Sequence, residues 1–162
     1  MISILTVGKE SIVVMLFTIS GSLLTAFVLG RILKLHGNTA ILIGVGTSIC
    51  GGSAIAATAP VIDADDQDIA YSISTIFLFN IIAVFIFPAI GRIFGMSDSD
   101  FGLFAGTAIN DTSSVVAAGY TFSSAAGNYA TIVKLTRTLM IIPITLILAI
   151  YRSSKAKNQE KG

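Results

Sequence analysis

Five apolar stretches run along this chain, separated by short polar joints, and they divide into two kinds. Roughly 20 apolar residues are needed for a helix to cross the hydrocarbon core of a bilayer. The first stretch (Ser11 to about Leu35), the third (Asp68 to Phe94) and the fifth (Asn128 to Tyr151) read as continuous helices. The second, Asn38 to Ile62, contains Gly44, Gly46, Gly51 and Gly52 and ends by Pro60, so its helical propensity fails near the middle. The fourth, Phe101 to Phe122, places Asn110, Asp111, Thr112, Ser113 and Ser114 at the matching point. The pattern predicts an all-α membrane protein of about five transmembrane segments, two of them discontinuous, with residues 1–151 as one polytopic domain and 152–162 as a basic cytoplasmic tail. Unpaired backbone is costly in lipid, so both breaks are expected to face the bundle interior. Pro88 and Pro143 are expected to mark kinks.

The two interrupted stretches are related. GTSICGGSAIAA, starting at Gly46, returns in degenerate form as GTAINDTSSVVA, starting at Gly106. Gly, Thr, Ile, Ser and Ala recur sixty residues apart (46/106, 47/107, 49/109, 53/113, 57/117). Such a pair is the usual trace of internal duplication in a transporter.

Composition agrees with the pattern: 54% of residues are hydrophobic, 12% are charged, and the mean hydropathy is +0.87. The formal net charge of +1 sums unevenly placed charges, and no basic stripe with interleaved aromatics suggests nucleic acid. Cys50 is the single cysteine, which excludes an internal disulfide and a thiol-based metal cluster within one chain. Asp63, Asp65, Asp66 and Asp68 lack a complete calcium-loop pattern and read as a solvated loop, as does His36. No cleaved signal peptide is expected from Met1 to Glu10.

Lys and Arg in short loops are retained on the cytoplasmic side. Arg31 and Lys34 follow the first stretch, Arg92 the third, and Arg152, Lys155, Lys157 and Lys161 the fifth. Five single crossings, with the N-terminus outside and the C-terminus in the cytoplasm, satisfy each of these loops. In a rival arrangement both interrupted segments are re-entrant hairpins entering from opposite faces and meeting near the midplane. That would put the acidic loop inside and Arg92 outside. Five crossings is the preferred reading, because acidic residues weigh little in the orientation rule.

Asp111 lies about ten residues into the fourth stretch, roughly 15 Å deep at 1.5 Å per residue. A carboxylate at that depth is a functional candidate, with N-capping of the second half-helix as the structural alternative. Thr107, Asp111 and Ser114 would share a face if the helix were continuous. Lys134 and Arg137, flanked by Thr131 and Thr138, make a polar stripe inside the fifth stretch. Two fixed cations beside an unwound helix suit a small anion; alternatively Lys134 pairs with Asp111 and Arg137 binds carbonyls. At the first motif Thr47, Cys50, Gly51, Gly52 and Ser53 offer backbone rather than charge, either to a ligand or for close helix packing. The site so read comprises these five with Thr107, Asn110, Asp111, Ser113, Ser114, Lys134 and Arg137. Asn80 reads as an interhelical hydrogen-bonding residue.

Three segments, Gly46 to Pro60, Gly106 to Gly119 and Val133 to Arg137, resemble in order and spacing the YeiH-like family of bacterial inner-membrane sulfate exporters. The resemblance implies a multi-pass transporter in the style of the bile-acid symporters and cation antiporters, with discontinuous helices at its core. It also implies that the chain corresponds to an internal portion of a longer protein, with Asn110 standing where many relatives carry histidine. The expected function is secondary transport of a small anion, sulfate or sulfonate-like. The other classes considered are a carrier or channel coupled to a proton or sodium ion through Asp111, and a fragment that needs a larger assembly. Partners are then the lipid bilayer, the anion, a coupling ion, and either a second copy or further spans, with no cofactor and no metal. An intramembrane enzyme is disfavoured, since no paired aspartates, zinc-ligand cluster or serine with a histidine base falls within the spans.

Overall fold

The computed structural model describes residues 4–35 and 38–159, and His36 lies outside them. Among the described residues eight α-helices follow in order: α1 (Ile4–Ile32), α2 (Thr39–Ser48), α3 (Gly52–Thr58, prolonged by a 3₁₀ turn at Ala59–Val61), α4 (Asp66–Ile93), α5 (Asp98–Ala108), α6 (Thr112–Phe122), α7 (Ser124–Thr138) and α8 (Ile141–Gln159). Among the described residues, Val13–Ile32, Asp66–Ile93 and Ser124–Tyr151 are long and apolar enough to cross a membrane.

Both motif segments break where the sequence predicts, in the same register. α2 ends at Ser48 and α5 at Ala108; α3 begins at Gly52 and α6 at Thr112. Different chemistry makes the two breaks. Gly51 takes φ 70° and ψ −127°, a conformation essentially reserved for glycine. Asp111 is extended and turns its carboxylate back to accept from the Ser114 N–H at 2.9 Å, a side-chain cap that starts α6. Gly51→Ala is therefore expected to destabilise the protein by about 1–3 kcal/mol, the cost of holding a non-glycine residue in such a region. A melting curve that alanine leaves unmoved would show that the turn can relax.

Neither segment runs on past its break in a single crossing; each folds back on itself. The Asn38 side chain, at the entrance to α2, donates to Ile62 O at 3.3 Å, just beyond the return arm. In the second segment Ser123, which follows α6, donates to the Asp98 carboxylate at 2.5 Å, and the Phe101 and Phe122 rings stack at 4.1 Å. The re-entrant alternative is thus the one these contacts fit. A helix break reads the same in sequence whether the chain continues or reverses, and contacts remote in sequence decide between the two. Thr107, Asp111 and Ser114 consequently do not share a helical face.

α4 orders the hairpins. Its N-terminal end holds the mouth of the first, where the Asp68 carboxylate accepts from the Asn38 N–H (2.7 Å) and the Thr39 hydroxyl. Its C-terminal end holds the mouth of the second, where Arg92 donates to Thr121 O at 2.8 Å. With 28 residues α4 is about 42 Å long, so the hairpins enter from opposite ends and their tips meet near its middle. Gly46 packs on Ile76 of α4, and Gly106 packs on Ala130 and Val133 of α7. Small residues at these crossings let backbones approach closely.

The fifth stretch is not one helix. α7 stops at Thr138 and α8 starts at Ile141, because Pro143 has no N–H for the Leu139 carbonyl one turn earlier. α4 continues unbroken through Pro88. α8 extends to Gln159, so the described part of the basic tail is helical.

Candidate functional site where the hairpins meet

Lys134 and Arg137 lie one turn apart on α7 and are buried, at 0% and 2% exposure. Both direct their donors at backbone carbonyls at the ends of α2 and α5. The Lys134 ammonium donates to Ile49 O at 2.8 Å and Ile109 O at 3.2 Å. Arg137 donates through Nη2 to Thr47 O at 2.6 Å, through Nη1 to Thr107 O, and through Nε to Ser48 O at 2.7 Å. Residues 47 and 107 are repeat equivalents, as are 49 and 109. Each cation therefore bridges the same acceptor in both copies of the motif. These carbonyls are the orphan acceptors at two half-helix C-termini, where the helix dipole also favours a cation.

The N-terminal ends of the return arms gather the remaining polar groups. Asp111 Oδ2 accepts from the Ser114 N–H, from Ser114 Oγ at 3.1 Å and from Ser113 Oγ. Lys134 is thus held by carbonyls and Asp111 by the first turn of α6, in place of the Lys134–Asp111 pair considered from sequence. Asn80, at the middle of α4 and 2% exposed, accepts through Oδ1 from the backbone N–H of Asn110 (3.0 Å) and of Asp111 (3.3 Å). Its Nδ2 is buried with no hydrogen-bond partner. Gly51 faces this junction: a Cβ there would lie 3.4 Å from Ile76 and 3.7 Å from the Asn110 carbonyl.

The twelve residues read from sequence therefore separate by position. Gly51, Gly52, Ser53, Asn110, Asp111, Ser113 and Ser114 lie at or beside the tips, with Ser53 and Ser113 exposed. Thr47 and Thr107 spend their hydroxyls on their own helices, at Ile43 O and Leu103 O (2.7 Å each), and Thr47 also meets Ser22 of α1 at 2.9 Å. Cys50 is a buried free thiol packed in an apolar cluster with Val45, Ile49 and Ala54. Lys134 and Arg137 brace the tips from behind. Asn80 is the residue whose part in the site the sequence underplays; its place at the midpoint of a continuous span was the available signal. No group of His, Cys, Asp and Glu suited to a metal occurs among the described residues.

Secondary structure that is helical throughout the described residues, with three membrane-length apolar segments and two opposed hairpins between them, makes this a membrane protein in architecture. The chain belongs to the family described as Conserved hypothetical protein 698, which matches residues 1–162. Similar proteins, each named a UPF0324 membrane protein, occur in Streptococcus mutans (59% identical over 98% of this chain and 48% of the relative), Clostridium tetani (56%, over 90% and 42%) and Fusobacterium nucleatum (54%, over 96% and 47%). The chain thus spans a little under half the length of these relatives. No solved structure matches it.

Proposed function

We propose that this chain forms the ligand-binding core of a secondary transporter for a small anion in the bacterial inner membrane. One observation carries the reading. Lys134 and Arg137 are both buried at the hairpin junction and bonded only to carbonyls, and among the described residues Asp111 is the carboxylate that acts on Lys134. Two cations against one carboxylate leave one positive charge without a counter-ion in a membrane interior, where uncompensated charge is expensive. A small anion at the tips supplies that counter-charge, with the first turn of α6 and the hydroxyls of Ser53, Ser113 and Ser114 in reach of the same region. Lys134 and Arg137 attract it through their charge while their hydrogen bonds hold the tips together. The family resemblance favours sulfate or a sulfonate as the species carried.

The hairpin arrangement supports an orientation as well. The ends of α1 and α8, both ends of the first hairpin and the start of α4 fall on one side, with Arg31, Lys34, Arg152, Lys155 and Lys157. Arg92 and Lys9 fall on the other. Retention of basic loops puts the first side, and the C-terminus, in the cytoplasm. The rest of the length found in the relatives, or a second copy, would complete the walls around the exposed face of the tips.

A second reading has one observation in its favour: all the bonds to Asp111 fall on Oδ2, which leaves Oδ1 open to a proton or sodium ion. Asp111→Asn separates the two. It keeps an oxygen to cap α6 and raises the positive charge of the junction. In proteoliposomes containing the intact protein, sulfate flux should persist or gain affinity in this variant if an anion is bound. Sodium- or proton-driven flux indifferent to sulfate, sulfite and thiosulfate, and lost in Asp111→Asn, would overturn the anion reading.

A further inference from the structure

Asn80 presents a chemical asymmetry that bears on what the junction holds. Its carboxamide has one acceptor oxygen and one NH₂ with two donors. Two backbone N–H groups, of Asn110 and Asp111, point at one end of the amide, and this fixes that end as the oxygen. The other end is necessarily the NH₂. It is fully enclosed and has no partner in a residue that is 2% exposed. A buried donor left unpaired is costly and rare in folded proteins, so an acceptor from outside the chain is called for.

The surroundings narrow the kind of acceptor. The amide sits where the second hairpin's tip crosses α4, one turn from Ile76, against which the Gly51 turn of the first tip packs. The charged groups bearing on this junction are Asp111 on the second tip and Lys134 and Arg137 on α7. An asparagine coordinates sodium or another metal cation through its oxygen, and here that oxygen is already taken by two N–H groups. What remains free is N–H, which repels a cation and donates only to a lone pair.

We propose that Asn80 is a ligand-contacting, specificity-determining residue: its Nδ2 donates a hydrogen bond to an oxygen of the transported anion, while its Oδ1 holds the second hairpin tip in place. The inference rests on the anion reading above and adds to it a residue with two separable duties and a sign for the charge of the ligand at that point.

Asn80→Asp tests it directly. The substitution is nearly isosteric and keeps the acceptor for the Asn110 and Asp111 N–H groups, but it replaces the donor with a second carboxylate oxygen. Sulfate binding is read by the shift in thermal unfolding of the purified intact protein across a sulfate titration, with sodium chloride at matched ionic strength as the reference. Asn80→Ala, which loses both duties, serves where Asn80→Asp does not yield folded protein. The unsubstituted chain should be stabilised by sulfate, and the apparent dissociation constant should rise by about tenfold to a hundredfold in either variant, the worth of a hydrogen bond to a charged group. An unchanged constant in Asn80→Asp, or in Asn80→Ala where that variant is the one measured, would overturn the role of Asn80 and leave the anion reading standing. No stabilisation of the unsubstituted chain by sulfate, sulfite or thiosulfate, together with stabilisation by sodium, would overturn both. Water alone as the partner of Nδ2 predicts the unchanged constant.

Discussion

Arg137→Ala should cost this protein most of its stability. The substitution leaves Ser48 O and Thr107 O without their donor in buried surroundings and Thr47 O without its donor in partly buried ones, and it empties the volume of the largest fully buried side chain among the described residues. Each buried acceptor left unpaired costs about 1–3 kcal/mol. That cost for the two buried acceptors, with the lost side-chain volume added, is a large share of the roughly 5–15 kcal/mol that holds a typical domain folded. The measurement is provided by the chain itself. Cys50 is its single cysteine and lies buried in the first tip, so a thiol-reactive fluorophore reports unfolding during a thermal ramp. We expect labelling at far lower temperature than in the unsubstituted protein, or no recoverable folded material, and only partial rescue by Arg137→Lys, because one ammonium cannot span three carbonyls in fork geometry. Arg92→Ala removes a comparable bond at the exposed mouth of the second hairpin and should move the transition little. A transition for Arg137→Ala within a few degrees of the unsubstituted protein would mean that water enters the junction and solvates the carbonyls.

Gly106→Val should be the second most damaging change, and more damaging than the same substitution at its repeat partner Gly46. A Cβ at residue 106 would lie 2.8 Å from Ala130 O and 2.8 Å from Val133 Cβ, both fixed to the backbone of α7. To make room, α7 must move away from α5, and α7 carries Lys134 and Arg137. At residue 46 the obstructing atoms are the outer carbons of Ile76 and Ile55, which can change rotamer. Overpacking costs typically about 1–3 kcal/mol, and Gly106→Val belongs at or above the top of that range while Gly46→Val falls toward its lower end. The same thiol-labelling ramp ranks the two; equal transitions would show that α7 yields as readily as a side chain.

The parts of this fold that were legible in the sequence are those set by local chemistry. Glycine at 51 and the run Asn110 to Ser114 interrupt a helix wherever they fall, since one permits positive φ and the other offers the backbone competing side-chain bonds. Continuous apolar stretches gave α1 and α4 to within a few residues at most ends, although the first helix begins earlier, at Ile4. The reversal of each interrupted segment was not legible. It depends on Asn38 meeting Ile62, and Asp98 meeting Ser123, more than twenty residues away along the chain. The orientation rule could not supply it either, because the acidic loop that separates the two arrangements carries little weight in that rule.

The candidate site was legible in part for a related reason. A charged pair in an apolar stretch announces burial, so Lys134 and Arg137 could be singled out. Carbonyl binding by Arg137 was one of the alternatives, and the structure shows it; which carbonyls are gripped, and that Lys134 grips them too, was not legible, since a carbonyl belongs to every residue type and leaves no mark on the sequence. Asn80 reads from sequence as an interhelical hydrogen-bonding residue, and it is one; that its partners are the N–H groups of the second tip depends on the register of α4 against that tip.

Because the two cations grip main-chain oxygens at positions 47, 49, 107 and 109, the identity of the side chains there is nearly irrelevant to that grip, whereas the spacing is not. Exchanging Ile49 for valine leaves the oxygen where it was; inserting one residue between Gly46 and Cys50 turns it out of reach. The grip therefore constrains chain length more than residue type. The two copies differ in composition at most positions, yet the count of residues between the bend, at 51 or 111, and each bracing carbonyl is the same in both.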